Sequence, residues 1–199
     1  MVTPATSNGS EVLCSTTLKK IGFGGGCHWC TEAVFQTLKG VEKVAQGWIA
    51  SEGEHDRFSE AVLVYFDEAK IDLASLTAIH LYTHSCASEH PLRKKYRSAV
   101  YTFSEAQATA VQAIIHQLQS EFDQPIITQV LPFVAFKEND EQYQNYYLKN
   151  SDNQFCQTYI QPKFTLLMQR FSEQIDERKK IATKSPTCLP ASWPCRQEH

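Results

Sequence analysis

The chain has no surplus of positive charge. Its 19 Lys and Arg stand against 22 Asp and Glu, a net charge of −3 with a pI near 6.2. Nucleic acids and anionic bilayers are gripped by clustered cations, so this balance argues against both as partners. No apolar run reaches the length of a membrane helix. Residues 1–15 lack the basic start and apolar stretch of a secretory leader. A cytoplasmic setting is therefore expected. Internal repeats are also missing, and 199 residues suit one domain with a real core. The even cysteine framework of a small secreted domain is absent too. There are seven cysteines at scattered positions: Cys14, Cys27, Cys30, Cys86, Cys156, Cys188 and Cys195. A structural zinc site wants a second close ligand pair, and Cys188 with Cys195 is too widely spaced to supply it. Neither a metal nor a cofactor is expected, which leaves thiol chemistry.

Hydropathy patterning organises what is there. Residues 1–17 are rich in Ser, Thr and Gly and read as a flexible tail. A short strand from Lys20 runs into Gly24-Gly25-Gly26. A helical stripe of Ala33, Val34, Phe35 and Leu38 follows over residues 27–38, closed by Gly40. Residues 41–50 and 59–66 read as strands, the second apolar on both faces and hence central. Asp72 caps a helix ending near His84, and residues 98–103 form another strand. Ser104 opens a long helix whose stripe is Val111, Ile114, Ile115 and Leu118. Residues 126–136 read as one strand, 139–148 as a short aromatic helix and 164–171 as a last helix. From residue 173 the chain turns charged and then Pro-rich, a second flexible tail. One domain over 18–172 is expected. The order β-α-β-β-α-β-α-β-α, with two strands adjacent, fits an α+β sandwich on a mixed sheet.

The most informative stretch is Gly24-Gly25-Gly26-Cys27-His28-Trp29-Cys30. Glycines let the chain turn sharply off a strand, and Cys27 then lands at a helix start. Unpaired N–H groups and the helix dipole favour negative charge there, so a thiolate, the reactive form, is expected. Cys30 three residues on permits a local disulfide, as in thioredoxin-type motifs. A phosphate-binding loop is set aside because the Lys-Ser/Thr that would follow is absent.

Five blocks in register resemble the A-type peptide methionine sulfoxide reductases. Gly26-Cys27-His28-Trp29 with Glu32, Phe35, Leu38 and Gly40-Val41 resembles the family's Gly-Cys-Phe-Trp signature. Gly47-Trp48 resembles its Gly-Tyr, and Ser59-Glu60-Ala61-Val62 its Ala-Glu-Val strand. Tyr96-Arg97-Ser98-Ala99-Val100-Tyr101 matches its Tyr-Arg-Ser-Ala-Ile-Tyr almost letter for letter. Tyr143-Gln144-Asn145-Tyr146-Tyr147, then Cys156, resembles its His-Gln-x-Tyr helix and following cysteine. The resemblance implies a two-layer sandwich with a ferredoxin-like βαββαβ core. It also implies reduction of methionine-S-sulfoxide by a cysteine that becomes a sulfenic acid, then a disulfide that thioredoxin or a similar dithiol reopens, in a monomeric enzyme. In these terms Cys27 is the nucleophile. Glu60, in an apolar strand that would favour its protonated form, is the acid. Tyr96 is a hydroxyl donor to the oxygen. Trp29 walls the S-methyl pocket, with His28, Trp48 and Tyr143 also facing substrate. Cys156 is the favoured resolving cysteine and Cys30 the alternative.

The departures from the pattern lie at the pocket rim. His28 stands for a phenylalanine, Cys30 for a small residue and Tyr143 for a histidine. The loop after Ser51 is short and lacks a tyrosine. The stretch before Tyr96 carries Arg93-Lys94-Lys95 in place of the family's residues, a solvated charged turn or a draw for anionic substrates. A histidine beside the nucleophile would either deepen its thiolate character or lie on the helix surface. A rebuilt rim leaves two further readings open. One is reduction of another small S-oxide; the other is a non-catalytic thiol sensor.

Overall fold

The computed structural model describes residues 17–89 and 91–179. Cys14, Cys188, Cys195 and most of both expected tails lie outside them. The elements are β1 (Lys19–Gly24), α1 (His28–Gln36), β2 (Val41–Ala50), β3 (Ser59–Phe66), α2 (Leu73–Thr83), β4 (Ala99–Thr102), α3 (Glu105–Leu118), β5 (Gln129–Pro132), β6 (Ala135–Glu138), α4 (Tyr146–Asn150) and α5 (Gln161–Arg170). Local signals start the helices where the sequence implies. The Asp72 carboxylate accepts from Ser75 N at 2.6 Å, and Ser104 Oγ accepts from Gln107 N at 3.2 Å.

One mixed sheet runs in the order β5-β4-β1-β3-β2-β6. Its middle four strands, β4-β1-β3-β2, are antiparallel throughout, the ferredoxin-like core expected above. Strand period decides what each face meets. On β3, Val62, Val64 and Phe66 face the helices and pack with Phe23 and Val100 against Phe35 of α1, Leu76 and Ile79 of α2, Val111 of α3 and Leu167 of α5. Glu60 shares their parity and so faces the helical layer at the start of α1. Ala61 and Leu63 face the other way, into a second cluster with Ile49 and Tyr101 that Phe133 and Phe136 close off.

The stretch expected as one strand over 126–136 is two, on opposite edges of the sheet. β5 pairs in parallel with β4, and β6 pairs antiparallel with β2. Only Phe133 and Val134 lie between them; Phe133 N donates to Thr102 O and Val134 N to Ala50 O. Two residues span at most about 11 Å, so the sheet curls until its edges nearly meet. Sequence pattern cannot see this, because both halves read as extended apolar chain. The expected helix over 139–148 is likewise a 3₁₀ turn, Glu141–Tyr143, followed by α4, with Asn145 between them at φ 56°. The expected tail does not begin at 173. Ile175 and Asp176 are buried, and Ile175 bridges to Leu38. One apolar residue among charges gave no periodic signal for this.

Gly47 lets β6 approach. A Cβ there would lie 2.1 Å from Lys137 O, a backbone atom that cannot step aside without breaking the ladder. Gly47→Ala is expected to lower the unfolding free energy by about 2–4 kcal/mol, read as a fall in the urea midpoint at unchanged slope.

Candidate active site

The site is built where β1 ends. Gly25 is needed because the His84 ring packs on it; a Cβ would sit 2.4 Å from the ring's Cδ2. Cys27 is the N-cap of α1 (φ −56°, ψ 126°), and its carbonyl accepts from Cys30 N and Thr31 N. Its side chain makes no capping hydrogen bond. The cap comes from β3: His28 N donates to Glu60 Oε2 at 3.3 Å. A carboxylate thus satisfies one of the orphan amides at the positive end of the helix.

The Cys27 and Cys30 thiols interact. Cys30, burial and the Glu60 charge push the Cys27 thiol well up, with the Trp29 amide pulling the other way. Cys30 moves down, through Cys27 and the nearby Lys163 charge and against its own burial. The two thiols release their first proton as a pair. Burial and Glu60 thus work against the helix dipole that favours a Cys27 thiolate. Cys156 is fully buried, at the start of a π-helical turn (Cys156–Ile160), and its thiol is pushed up by burial and by Cys30. The electrostatic neighbour of Cys156 is Cys30, which lies between the other two cysteines in the chain of interactions.

Glu60 is 7% exposed, but its surroundings are not the apolar ones its strand implies. Besides the His28 amide, its Oε2 has His28 Nδ1 at 3.7 Å, and its Oε1 has Lys95 Nζ at 3.4 Å. The His28 ring donates Nδ1–H to Gly47 O at 3.1 Å. Burial holds the ring below its ordinary pKa, that is, neutral. So His28 lies neither on the helix surface nor paired with the cysteine; it wedges between Glu60 and the edge of half-buried Trp48, with ring centroids 5.3 Å apart. Trp48 reaches this point because it is the cross-strand partner of Glu60. Tyr96 is half-buried, and the Lys95 ammonium lies 4.8 Å from its ring centre.

In the basic run before Tyr96, Lys94 and Lys95 are exposed, as a solvated turn implies, but Arg93 is half-buried. Arg93 donates to the carbonyls of Ser85, Ser88, Gly25 and Tyr96, tying this loop to the glycine turn. Trp29 forms the aromatic side of the site, stacked on Tyr146 at 4.0 Å and edge-on to Phe155. Tyr143, expected at the substrate, has a 44% exposed side chain, and its carbonyl accepts from Gln46. Tyr146 takes the place against Trp29. The residue that holds it there was quoted in the motif without a role. Glu32, buried on α1, accepts from Asn145 N, Tyr146 N and Gln46 Nε2. A buried charge in a helix stripe was its available signal.

Behind the turn lies a second buried group. His80 and His84 stack at 4.0 Å, and His84 bonds His80 O and Ser98 Oγ. Burial drives His84 down to about 3, so both prop the turn as neutral rings. Two surface cavities, of about 570 and 620 Å³, lie away from Cys27. One borders Val44 and Asn145, the other Ala78, Ile114 and Phe171.

Because Cys30 is the first cause of the raised Cys27 pKa, removing it has a definite sign. In Cys30→Ala the pH midpoint for alkylation of Cys27 is expected to move down. An unchanged or higher midpoint would contradict the shared-proton arrangement.

The family model described as "Peptide methionine sulfoxide reductase" matches residues 19–176. The chain is 33% identical over 171 residues to the peptide methionine sulfoxide reductase MsrA of Chromobacterium violaceum, covering 78% of this chain and 97% of that protein. It is 32% identical over 170 residues to the protein of the same name from Acinetobacter baumannii, with the same coverages. Among solved structures it shares its fold with reduced Mxr1 from Saccharomyces cerevisiae (TM-score 0.63, 23% identity, 73% of this chain and 92% of that one). It also resembles methionine sulfoxide reductase A of Corynebacterium diphtheriae (TM-score 0.60, 21% identity, 67% and 76%). With its glycine turn, cysteine and carboxylate in register and a match running almost the length of the described residues, the chain belongs to the peptide methionine sulfoxide reductase family.

Proposed function

We propose that this protein reduces methionine-S-sulfoxide, free or in peptides, to methionine at the expense of its own thiols. The observation that carries the reading is the junction at the start of α1. There a thiol pair, Cys27 and Cys30, adjoins a buried carboxylate, Glu60, through the His28 amide. The Cys27 sulfur attacks the sulfoxide sulfur, and Glu60 carries the thiol proton to the oxygen. The hydroxyl so formed passes to the Cys27 sulfur: the substrate S–O bond and the transient S–S bond both break, and methionine leaves as the thioether. The oxygen ends on Cys27 as sulfenic acid, so one sulfur is oxidised by two electrons and the other reduced by two. A second thiol then displaces water from the sulfenic sulfur to close a disulfide. Trp29, with Tyr146 behind it, offers the S-methyl group an apolar wall, and Tyr96 supplies a hydroxyl toward the oxygen.

Cys30 is the first resolving thiol in this proposal, in preference to Cys156. Residues i and i+3 at a helix start lie within disulfide reach, and the Cys30 thiol interacts with that of Cys27. Cys156, fully buried next to Cys30, receives the disulfide second. An external dithiol completes the cycle. A yeast relative, Mxr1, has been solved in complex with Trx2 (TM-score 0.53), which supports a thioredoxin-like partner. A monomeric, cytoplasmic enzyme is part of the same proposal. No helix among the described residues is long and apolar enough to cross a membrane.

The test is steady-state turnover of methionine-S-sulfoxide with dithiothreitol. Cys27→Ser is expected to abolish it, and Glu60→Gln to slow it on the order of 10²–10⁴-fold. A Glu60→Gln enzyme as fast as the parent would sink the acid role. Mass spectrometry after one turnover is expected to find Cys27 linked to Cys30, and Cys156→Ser to form one equivalent of methionine unimpaired. A direct Cys27–Cys156 link in the Cys30→Ser variant at the parent's rate would reverse the order.

A further inference from the structure

Lys95 is held in a way that a surface lysine is not. Its carbonyl accepts from Glu60 N and from Ser59 Oγ, each at 2.9 Å, and its own N–H donates to Leu92 O at 2.9 Å. The adjacent chain is clipped down as well, Arg97 N donating to Ser59 Oγ at 2.8 Å. The backbone at 95 is therefore fastened to the first residues of β3. From that anchor the side chain, 59% exposed, sends its ammonium to Glu60 Oε1 at 3.4 Å and over the Tyr96 ring, 4.8 Å from its centre.

The partner is what makes this more than a surface pair. Exposed ion pairs contribute little because water screens both charges, but the Glu60 side chain is only 9% exposed. Its other oxygen is occupied by His28. An ammonium carries three donors. The ammonium is paired with Glu60 Oε1 and lies 4.8 Å from the Tyr96 ring centre, and its exposed side has donors to spare beside the two groups that the reaction needs. As a sulfoxide S–O bond breaks, negative charge gathers on the oxygen. A fixed cationic donor aimed there is worth more than a neutral hydroxyl.

Resting on the sulfoxide reductase reading, we propose that Lys95 is a further catalytic residue, whose ammonium hydrogen-bonds the substrate oxygen alongside Tyr96 while neutralising Glu60. It lends a hydrogen bond and a charge and gives up no proton, so the balance of the step is unchanged. The proton travels from Cys27 through Glu60 to the oxygen. The position is part of the run that otherwise reads as a charged turn; its neighbour Arg93 is spent on backbone carbonyls, which leaves Lys95 as the cation at the carboxylate.

The experiment measures methionine formed in a single turnover of the reduced full-length protein with methionine-S-sulfoxide. Lys95→Ala is expected to slow that turnover on the order of 10²-fold. Lys95→Arg is expected to retain most of the rate. Ethylammonium, added to Lys95→Ala, is expected to restore the rate in a saturable manner while leaving the parent unaffected, a response that a loosened loop would not give. Reduction of the oxidised variant by dithiothreitol is expected at the parent's rate. Equal single-turnover rates for the parent and Lys95→Ala overturn the proposal. So does a slow variant that neither ethylammonium nor arginine restores. A parent protein that forms no methionine from the S-sulfoxide defeats the functional reading itself, and the role of Lys95 with it.

Discussion

The hydrogen bond from the His28 amide to the Glu60 carboxylate is the contact on which the site depends. It joins the first turn of α1 to the start of β3, and so fixes the distance between the helix that begins at Cys27 and the strand that carries Glu60. The helix needs it because Cys27, as N-cap, offers no side-chain cap of its own. Two constraints must hold together for the bond to form. The register of β3 against β2 and β1 sets which face Glu60 occupies, and a one-residue slip would send it to the opposite cluster. The glycine turn must also bring α1 down onto that face. The apolar packing of Phe23 against Phe35, stacked at 4.6 Å, secures β1 to α1 on either side of the turn.

Charge at the site links two thiols and a carboxylate. Cys30, burial and Glu60 raise the Cys27 thiol, while Cys27 and Lys163 lower that of Cys30. The dipole at the helix start favours an anion, and the Glu60 carboxylate occupies that favoured place. In the proposed reaction the same carboxylate passes the thiol proton to the substrate oxygen. His28, neutral and bonded to Gly47 O, completes the wall without adding charge. Its aromatic contacts with Trp48 make it a packing residue that tolerates a carboxylate next to it.

The three cysteines in the site form a series from half-buried Cys27, through buried Cys30, to fully buried Cys156. The last begins a π-helical turn, a local widening that is frequent at functional positions. Glu32, by holding the amides of Asn145 and Tyr146, ties the segment carrying the aromatic wall to the helix carrying two of the thiols. One helix therefore positions Cys27, Cys30 and the Trp29–Tyr146 stack.

Much of this was legible in the chain, because it rests on short-range signals. β2 and β3, the caps Asp72 and Ser104, the glycine turn and the placing of Cys27 at a helix start all follow from period and local chemistry. So did the candidates Glu60, Tyr96 and Trp29, through motifs in register. What sequence misjudged shares one cause: the partner comes from far along the chain. The segment 126–136 reads as one strand because extended apolar chain looks alike on either edge of a sheet, and only the curl assigns its halves to β4 and β2. The segment after 172 reads as a tail because Ile175 alone carries its packing. Lys95 and Arg93 read as one charged run, yet one meets a buried carboxylate and the other a set of carbonyls. The amino-acid sequence by itself determined which residue types stand at the start of α1 and along β3. Only the tertiary structure decided how readily Cys27 ionises, because that depends on burial and on Cys30 and Glu60, 3 and 33 positions away, whose distances are set by packing.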